Sequence, residues 1–288
     1  MNIVSGFLSG VNGRSDRDLS KYIGLGKELM ACYVPMTVFL ERAIFDAYFS
    51  GVIGVESGRG EFVHKCEGGV LDGTRHKYSY SVFGHITVVF FEKTDMFLWP
   101  FRAMAWRFSL NTGNPAKDTL GYMMVQCQKT EWVSIACSLV KSLRGGGGGR
   151  GGGGGRGGDE FVWMDFGIFH MFHGKIDVFQ TEIYKMRSRV KKRAGTGTIT
   201  AARCWDPSRK VGDIYRDVSW LFAGSVFGGR EDVLQRFARL MREKCFQVLR
   251  EKNTLMWEIN IWALIYDEIP SLFSLYPSDH SEIIVKGY

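Results

Sequence analysis

The sequence predicts an α/β fold with a mainly parallel sheet flanked by helices, and three observations point to it. The chain opens as strand, loop, helix, strand, which is the start of a βαβ unit. Short apolar runs alternate with longer stretches of helical periodicity further along. A chain of 288 residues, 45% apolar and 14% aromatic, can also bury a full core. The length suits one large domain or two small ones, and the absence of an internal repeat favours a single domain over 1–288.

The elements follow in order. NIVSGFL reads as a buried first strand and GVNGRSD as the loop after it. Ser15 and Asp18 stand at capping-box spacing before Leu19, Tyr22, Ile23, Leu29, Met30 and Tyr33, so a helix is expected from Ser15 until Pro35 stops it. MTVFLE is the second strand. Residues 51–82 are glycine-rich and weakly periodic and read as irregular; ITVVFFE (86–92) is again a strand, and a helix or aromatic-rich turn follows at 95–108. From Lys117 to Leu143 the apolar residues recur at helical spacing, with Asp118 where the helix dipole favours a carboxylate. The tract RGGGGGRGGGGGRGG (144–158) has no side chains to bury and is expected to loop out as a flexible insertion.

FVWMDFGI resumes as a strand, TITAARCW (198–205) gives another, and SWLFAGSVFGG (219–229) is a strand or turn ending in glycines. Val233, Leu234, Phe237, Leu240, Met241, Cys245, Val248 and Leu249 form one stripe of an amphipathic helix. LMWEINIWALIYDEIP is a second helix, closed by Pro270, and LYPSDHSEIIVKGY is expected to carry a short loop and strand.

Bulk composition narrows the function. No apolar run is long enough for a membrane span, and MNIVSGFLSG lacks the flanks of a secretory signal, so a cytoplasmic protein is expected. Six cysteines without CxxC or Cys/His ligand spacing argue against a disulfide framework and against structural zinc. The net charge of +7 is concentrated in two places, Arg144, Arg150 and Arg156 of the glycine tract and the six basic residues of KMRSRVKKR (185–193). These nine charges leave the remainder slightly acidic, which suits a neutral body with two basic surface features better than a surface built for duplex binding.

Asp165 is the strongest candidate for chemistry. An acid directly after a buried strand stands at the carboxyl end of the sheet, where open α/β folds bind ligands, and a carboxylate there suits a hard divalent cation completed by diphosphate oxygens. The alternative is a cap for the turn before Gly167. In FAGSVFGG, Gly224 and Ser225 would let backbone approach a ligand and supply a hydroxyl, or do no more than turn the chain. Glu258 stands on an apolar helix with Asn260 nearby and needs a partner or a function, such as accepting a proton from a hydroxyl. Asp279 and His280 form a further ligand pair or an exposed loop; Lys129, on the long helix, is a point charge for a phosphate or a solvated lysine. His170 and His173 lack an acidic partner in register and rank lower.

The order of IVSGFLSGVNGRSD, KDTLGYMMVQCQKTEWVSIA, FVWMDFGIFHMF, FAGSVFGG, LMWEINIWALIY and SDH resembles the HtrL/YibB-like family of glycosyltransferases of bacteria and some large viruses, over most of the chain. The resemblance implies a GT-A-like, Rossmann-like mixed sheet that binds a nucleotide-sugar, with Mn²⁺ or Mg²⁺ on a DxD-like motif. It implies Asp165 as the retained acid of that motif and His280 as a second metal ligand. Asn12, Arg14, Lys129, Gly224 and Ser225 would line the donor, and Glu258 and Lys129 would act in catalysis. Trp163 stands where the first aspartate of a DxD would be, and the Gly/Arg tract is outside the family pattern.

The expected function is therefore transfer of a sugar from a nucleotide-sugar to a glycan or other hydroxyl acceptor. Two alternatives stand beside it. One is a sugar-binding protein that has lost turnover. The other is an RNA- or polyanion-binding scaffold using the Gly/Arg tract, which lacks aromatic residues to stack on bases.

Overall fold

The computed structural model describes residues 1–10, 18–67, 69–105, 115, 117–145, 159–193 and 197–288. Its strands are β1 (Asn2–Phe7), β2 (Met36–Leu40), β3 (Gly58–Lys65), β4 (Arg75–Phe83), β5 (Ile86–Phe90), β6 (Glu160–Met164), β7 (Ile199–Arg203), β8 (Phe222–Arg230) and β9 (Phe273–Pro277). Its helices are α1 (Leu19–Met30), α2 (Arg42–Tyr48), α3 (Leu120–Gly145), α4 (Ile176–Arg193), α5 (Glu231–Lys252), α6 (Glu258–Glu268) and α7 (Ile283–Lys286).

The strands form one sheet in the order β3-β4-β5-β2-β1-β6-β8-β7-β9. The central β5, β2, β1 and β6 are parallel, and β7 and β9 pair in parallel near one edge. β4 and β8 pair antiparallel with both their neighbours, so among the described residues they alone run against the rest. The sheet is mixed, as expected, but less parallel than expected: among the described residues four strand pairings are parallel and four antiparallel. β2 is buried at every position because both faces are covered, which is why MTVFL reads as an uninterrupted apolar run.

Strand residues alternate between two cores. Val4, Phe39, Val89, Phe161, Trp163 and Phe227 face α3, α5 and α6, whereas Ile3, Val38, Val88, Val162 and Met164 face α1, α2, α4 and α7. Helix α5 has the clearest apolar stripe; it begins with Glu231 and Asp232 and ends with Arg250 and Lys252, matching its dipole at both ends. Left-handed Asn253 terminates it. Helix α3 lies between the sheet and α5 and is buried almost all round from Gln128 to Leu139. Lys129 and Glu131 on that stretch must therefore find partners inside the protein.

Several expectations are corrected. Residues 51–82 are not irregular: β3 and β4 form an antiparallel pair there. The signal was weak because β3 is an outer strand that buries only Phe62 and His64. Helix α1 begins at Leu19, with Asp18 as its N-cap accepting from the Lys21 amide at 2.7 Å, and Ser15 lies outside the described residues. A short helix α2 follows β2 where none was expected. LYPSDHSEIIVKGY carries the end of β9 and a loop, as expected in kind, and then α7, a helix that was not expected. The glycine tract is outside the described residues apart from its ends, where Arg144 pairs with Asp159. No helix among the described residues is long and apolar enough to cross a membrane.

Candidate functional site

A cavity of about 670 Å³ opens at the carboxyl ends of β1 and β6. Asp165, Lys129, Gly224, Ser225, Glu258, Asp279 and His280, singled out far apart in the sequence, all line it. Asn12 and Arg14 lie outside the described residues.

Each residue reaches the cavity for a local reason. β6 ends at Met164, and the Asp165 amide donates to the carbonyl of Ser225 at 3.0 Å, which ties the carboxylate to the start of β8. Glu258 is the first residue of α6, where an acid meets the favourable end of the helix dipole. Lys129 comes from the buried stretch of α3.

These residues meet at the Lys129 ammonium. Its Nζ is 2.9 Å from Glu258 Oε1, 3.0 Å from Asp165 Oδ1 and 3.2 Å from the Gly224 carbonyl oxygen. Two of these contacts are hydrogen bonds, to Glu258 and the Gly224 carbonyl, and the third is an ion pair with Asp165; the side chain is only 5% exposed. Burial by itself would lower the pKa of Lys129, but attraction by Asp165 and then Glu258 outweighs it, and the value lies above that of an ordinary lysine. Lys129 is a fixed cation, not a base. Its charge is taken up by Glu258 and Asp165 rather than left solvated on the helix surface.

Two carboxylates around one ammonium leave the cluster with one net negative charge. The carboxylates differ: Glu258 is 5% exposed at its side chain, whereas Asp165 keeps 34% of its side chain open. Asp165 Oδ1 also accepts from the Trp163 indole at 2.9 Å, so this oxygen is held by one hydrogen bond and by its ion pair with Lys129. Trp163 was noted in the sequence only as the residue replacing an aspartate. Its ring is buried on the helix side of the sheet, stacked on Trp132 at 5.6 Å and 13°, and its nitrogen orients Asp165.

The C-terminal pair is arranged differently. Asp279 turns its carboxylate to the amide and hydroxyl of Ser281, and chiefly this hydroxyl contact holds its pKa low. The His280 ring stands edge-on to Trp220 at 4.7 Å, and burial, aided by Lys117, pulls its pKa down towards the neutral imidazole. Trp205, Trp220, Trp257 and Tyr122 add aromatic wall that sequence reading did not assign to the site. His170 also lines the cavity, with its ring directed to the Gly167 carbonyl; His173 does not. Asn260 points elsewhere, holding the 214–219 loop through Ile214, Asp217 and Ser219.

Asp165 and His280 share the cavity but belong to no close group of three metal-type ligands among the described residues. A different trio does, and it corrects the reading of the cysteines: His64, Cys66 and Glu131, all buried, have ligand atoms within 4.8 Å of one another and could hold a metal ion. Spacing along the chain could not reveal it, because Glu131 comes from α3 and only His64 and Cys66 are close in sequence. Arg242 pairs with Glu131, and although burial pushes that carboxyl's pKa up, Arg242 and His64 hold it below the usual glutamate range.

Comparison of the chain with protein-family models, curated proteins and solved structures finds no match.

Proposed function

We propose that the protein is a glycosyltransferase of GT-A type, related to the HtrL/YibB-like family, which moves a sugar from a nucleotide-sugar to a hydroxyl of a glycan acceptor with help from Mn²⁺ or Mg²⁺. The observation that carries this reading is the Asp165–Lys129–Glu258 cluster at the carboxyl end of the central parallel strands, inside an aromatic-walled cavity.

Charge gives the reason for a divalent cation. A cluster with one net negative charge would repel a diphosphate unless positive charge arrives with it. Asp165 suits such an ion, since the Trp163 indole and the Lys129 charge hold one of its oxygens in place while the carboxylate stays open to the cavity; His280 as a neutral imidazole would be the second ligand. Two protein ligands are few, so phosphate oxygens would complete the sphere, as is common for Mg²⁺. When bound, the ion would neutralise charge on the departing nucleoside diphosphate.

The chain's own groups divide the remaining work. Lys129 keeps Asp165 and Glu258 in register as a permanent cation. Gly224 and Ser225 let the sugar approach the sheet. Glu258 accepts the proton of the attacking acceptor hydroxyl, or a hydrogen bond from the transferred sugar, as the acceptor oxygen bonds to the anomeric carbon and the bond to phosphate breaks.

The test is a thermal-shift screen of UDP-, GDP- and dTDP-sugars with and without Mn²⁺, since a ligand specific to the folded state raises Tm. One nucleotide should give a metal-dependent shift that Asp165→Ala abolishes. Binding without turnover on any acceptor would favour a sugar-binding protein, the reading that Trp163 in place of an aspartate supports. No shift with any donor, together with retention on heparin or RNA, would move the function to the basic segments.

A further inference from the structure

We propose that His64, Cys66 and Glu131 form a zinc site that pins the outer strand β3 to helix α3. The site is separate from the candidate cavity, which none of the three lines.

The backbone prepares it. His64 and Cys66 are two apart at the end of β3, so both point to the same side, where the middle of α3 presents Glu131. His64 Nε2 lies 3.1 Å and Cys66 Sγ 3.8 Å from the same oxygen, Glu131 Oε1. Zinc bonds of roughly 2.0–2.3 Å in a tetrahedron place neighbouring ligand atoms about 3.3–3.6 Å apart, so the trio has the right scale.

The atoms that face outward are also held. His64 Nδ1 is 3.0 Å from Ser138 Oγ, and that hydroxyl gives its own hydrogen to the Ser134 carbonyl at 3.2 Å. With that hydroxyl turned to Ser134, the tautomer that fits carries its proton on Nδ1 and directs the Nε2 lone pair at a carboxylate oxygen. The other carboxylate oxygen, Oε2, pairs with Arg242, which is anchored in turn by the Glu67 carbonyl at 2.6 Å. Partners that orient the far side of each ligand are the usual setting of a metal site.

A lone pair facing a carboxylate oxygen needs positive charge between them. A second proton on the imidazole would supply it, with the thiol left to a single weak S–H donation to the same oxygen at 3.8 Å. A cation uses all three. Thiolate with imidazole and one carboxylate selects zinc over the hard cations Mg²⁺ and Ca²⁺. On binding, the Cys66 S–H bond breaks, its proton leaves to solvent and a zinc–sulfur bond forms, with no change of oxidation state.

The consequence is structural. β3 is the outer strand of the β3–β4 pair and buries little of its own, so a metal bond to α3 fixes it. It also fixes α3 two residues from Lys129.

The full-length protein decides this without any assay of transfer. Metal analysis after gel filtration should find stoichiometric zinc, and chelation should lower Tm. Cobalt exchanged into the protein should show a near-ultraviolet sulfur-to-metal charge-transfer band. Cys66→Ser should remove that band while Asp165→Asn, in the cavity, keeps it. Folded wild-type protein that holds no zinc, or whose cobalt form lacks the band, would overturn the proposal and make the trio a metal-free ion network in which His64 is protonated. Because the wild-type spectrum and metal content suffice, a Cys66→Ser chain that fails to fold does not rescue it.

Discussion

Gly224 faces the Glu258 carboxylate with no room for a side chain between them: a Cβ at 224 would overlap Glu258 Oε1 and press on Ile259. The carbonyl of Gly224 also accepts from Lys129. Glycine is required here for close approach rather than for backbone conformation, since residue 224 is not among those with positive φ. Gly224→Ala should displace Glu258, destabilise the protein by about 1–3 kcal/mol and weaken nucleotide-sugar binding at least tenfold. Denaturant titration and calorimetry measure the two effects. Unchanged affinity would remove Glu258 from the donor site.

Lys129→Met tests the cluster itself. It leaves Glu258 buried beside Asp165 with no cation, and breaking such a pair costs on the order of 3–5 kcal/mol. The double variant Lys129→Met/Glu258→Gln should recover part of that loss, because the stranded charge is gone. The pH dependence has a definite sign. The folded pKa of Lys129 is raised above the ordinary lysine value of 10.5, so its contribution is complete below that value and is lost as pH rises through the folded one. Wild-type stability should therefore run parallel to that of Lys129→Met up to about pH 10 and decline more steeply above it, as read from urea midpoints from about pH 10 upward. Curves that stay parallel there would mean that Lys129 is not stabilised by its neighbours.

Elements covered by apolar layers were legible in the sequence, and elements at the margins were not. β2, β6, α3 and α5 announce themselves because burial on two faces or along one stripe dictates residue type at every turn. β3 hides because an outer strand with six of its eight positions at least partly exposed needs no such pattern. For the site, a strand-end acid, a lysine on the long helix and a glutamate on an apolar helix were recognisable one at a time, though the lysine was expected at a phosphate or in solvent and is buried between carboxylates. That all three meet at one nitrogen depends on the crossing of α3, β6 and α6, which no spacing encodes. Trp163 was misread for a related reason. Its identity suggested loss of an aspartate, while its function as a hydrogen-bond donor to Asp165 depends on a ring orientation set by Trp132.

Trp163 yields a prediction in two directions. Trp163→Phe keeps an aromatic ring for stacking on Trp132 but removes the donor to Asp165, so stability should fall by about 1 kcal/mol while Mn²⁺-dependent donor binding weakens more than binding of nucleotide alone. Trp163→Asp would restore the sequence of a DxD motif without restoring its chemistry. The side chain at 163 is buried among Trp132, Phe227 and the α3 face, where an unpaired carboxylate is costly. That variant should unfold at markedly lower denaturant and gain no metal affinity. Tighter Mn²⁺ binding in calorimetry would show instead that a carboxylate at 163, on the wall of the cavity, can reach the ion beside Asp165.

Between its ends the glycine tract carries two arginines, Arg150 and Arg156, that can be removed without altering the described elements. Its ends are already joined, since Arg144 at the end of α3 pairs with Asp159 just before β6. That pair is largely exposed on the arginine side and is worth no more than about 1 kcal/mol, but it shows that the two elements meet without help from the residues between them. Replacing 146–157 by a short Gly-Ser link also shortens the loop to be closed, which lowers its entropic cost slightly. The shortened chain should keep its Tm within about 2 °C and bind nucleotide-sugar as before. It should elute from heparin at lower salt, because Arg150 and Arg156 are removed. A large fall in Tm would mean that the tract packs against the body. Unchanged elution would assign polyanion contact to the basic end of α4, where Lys191, Lys192 and Arg193 remain.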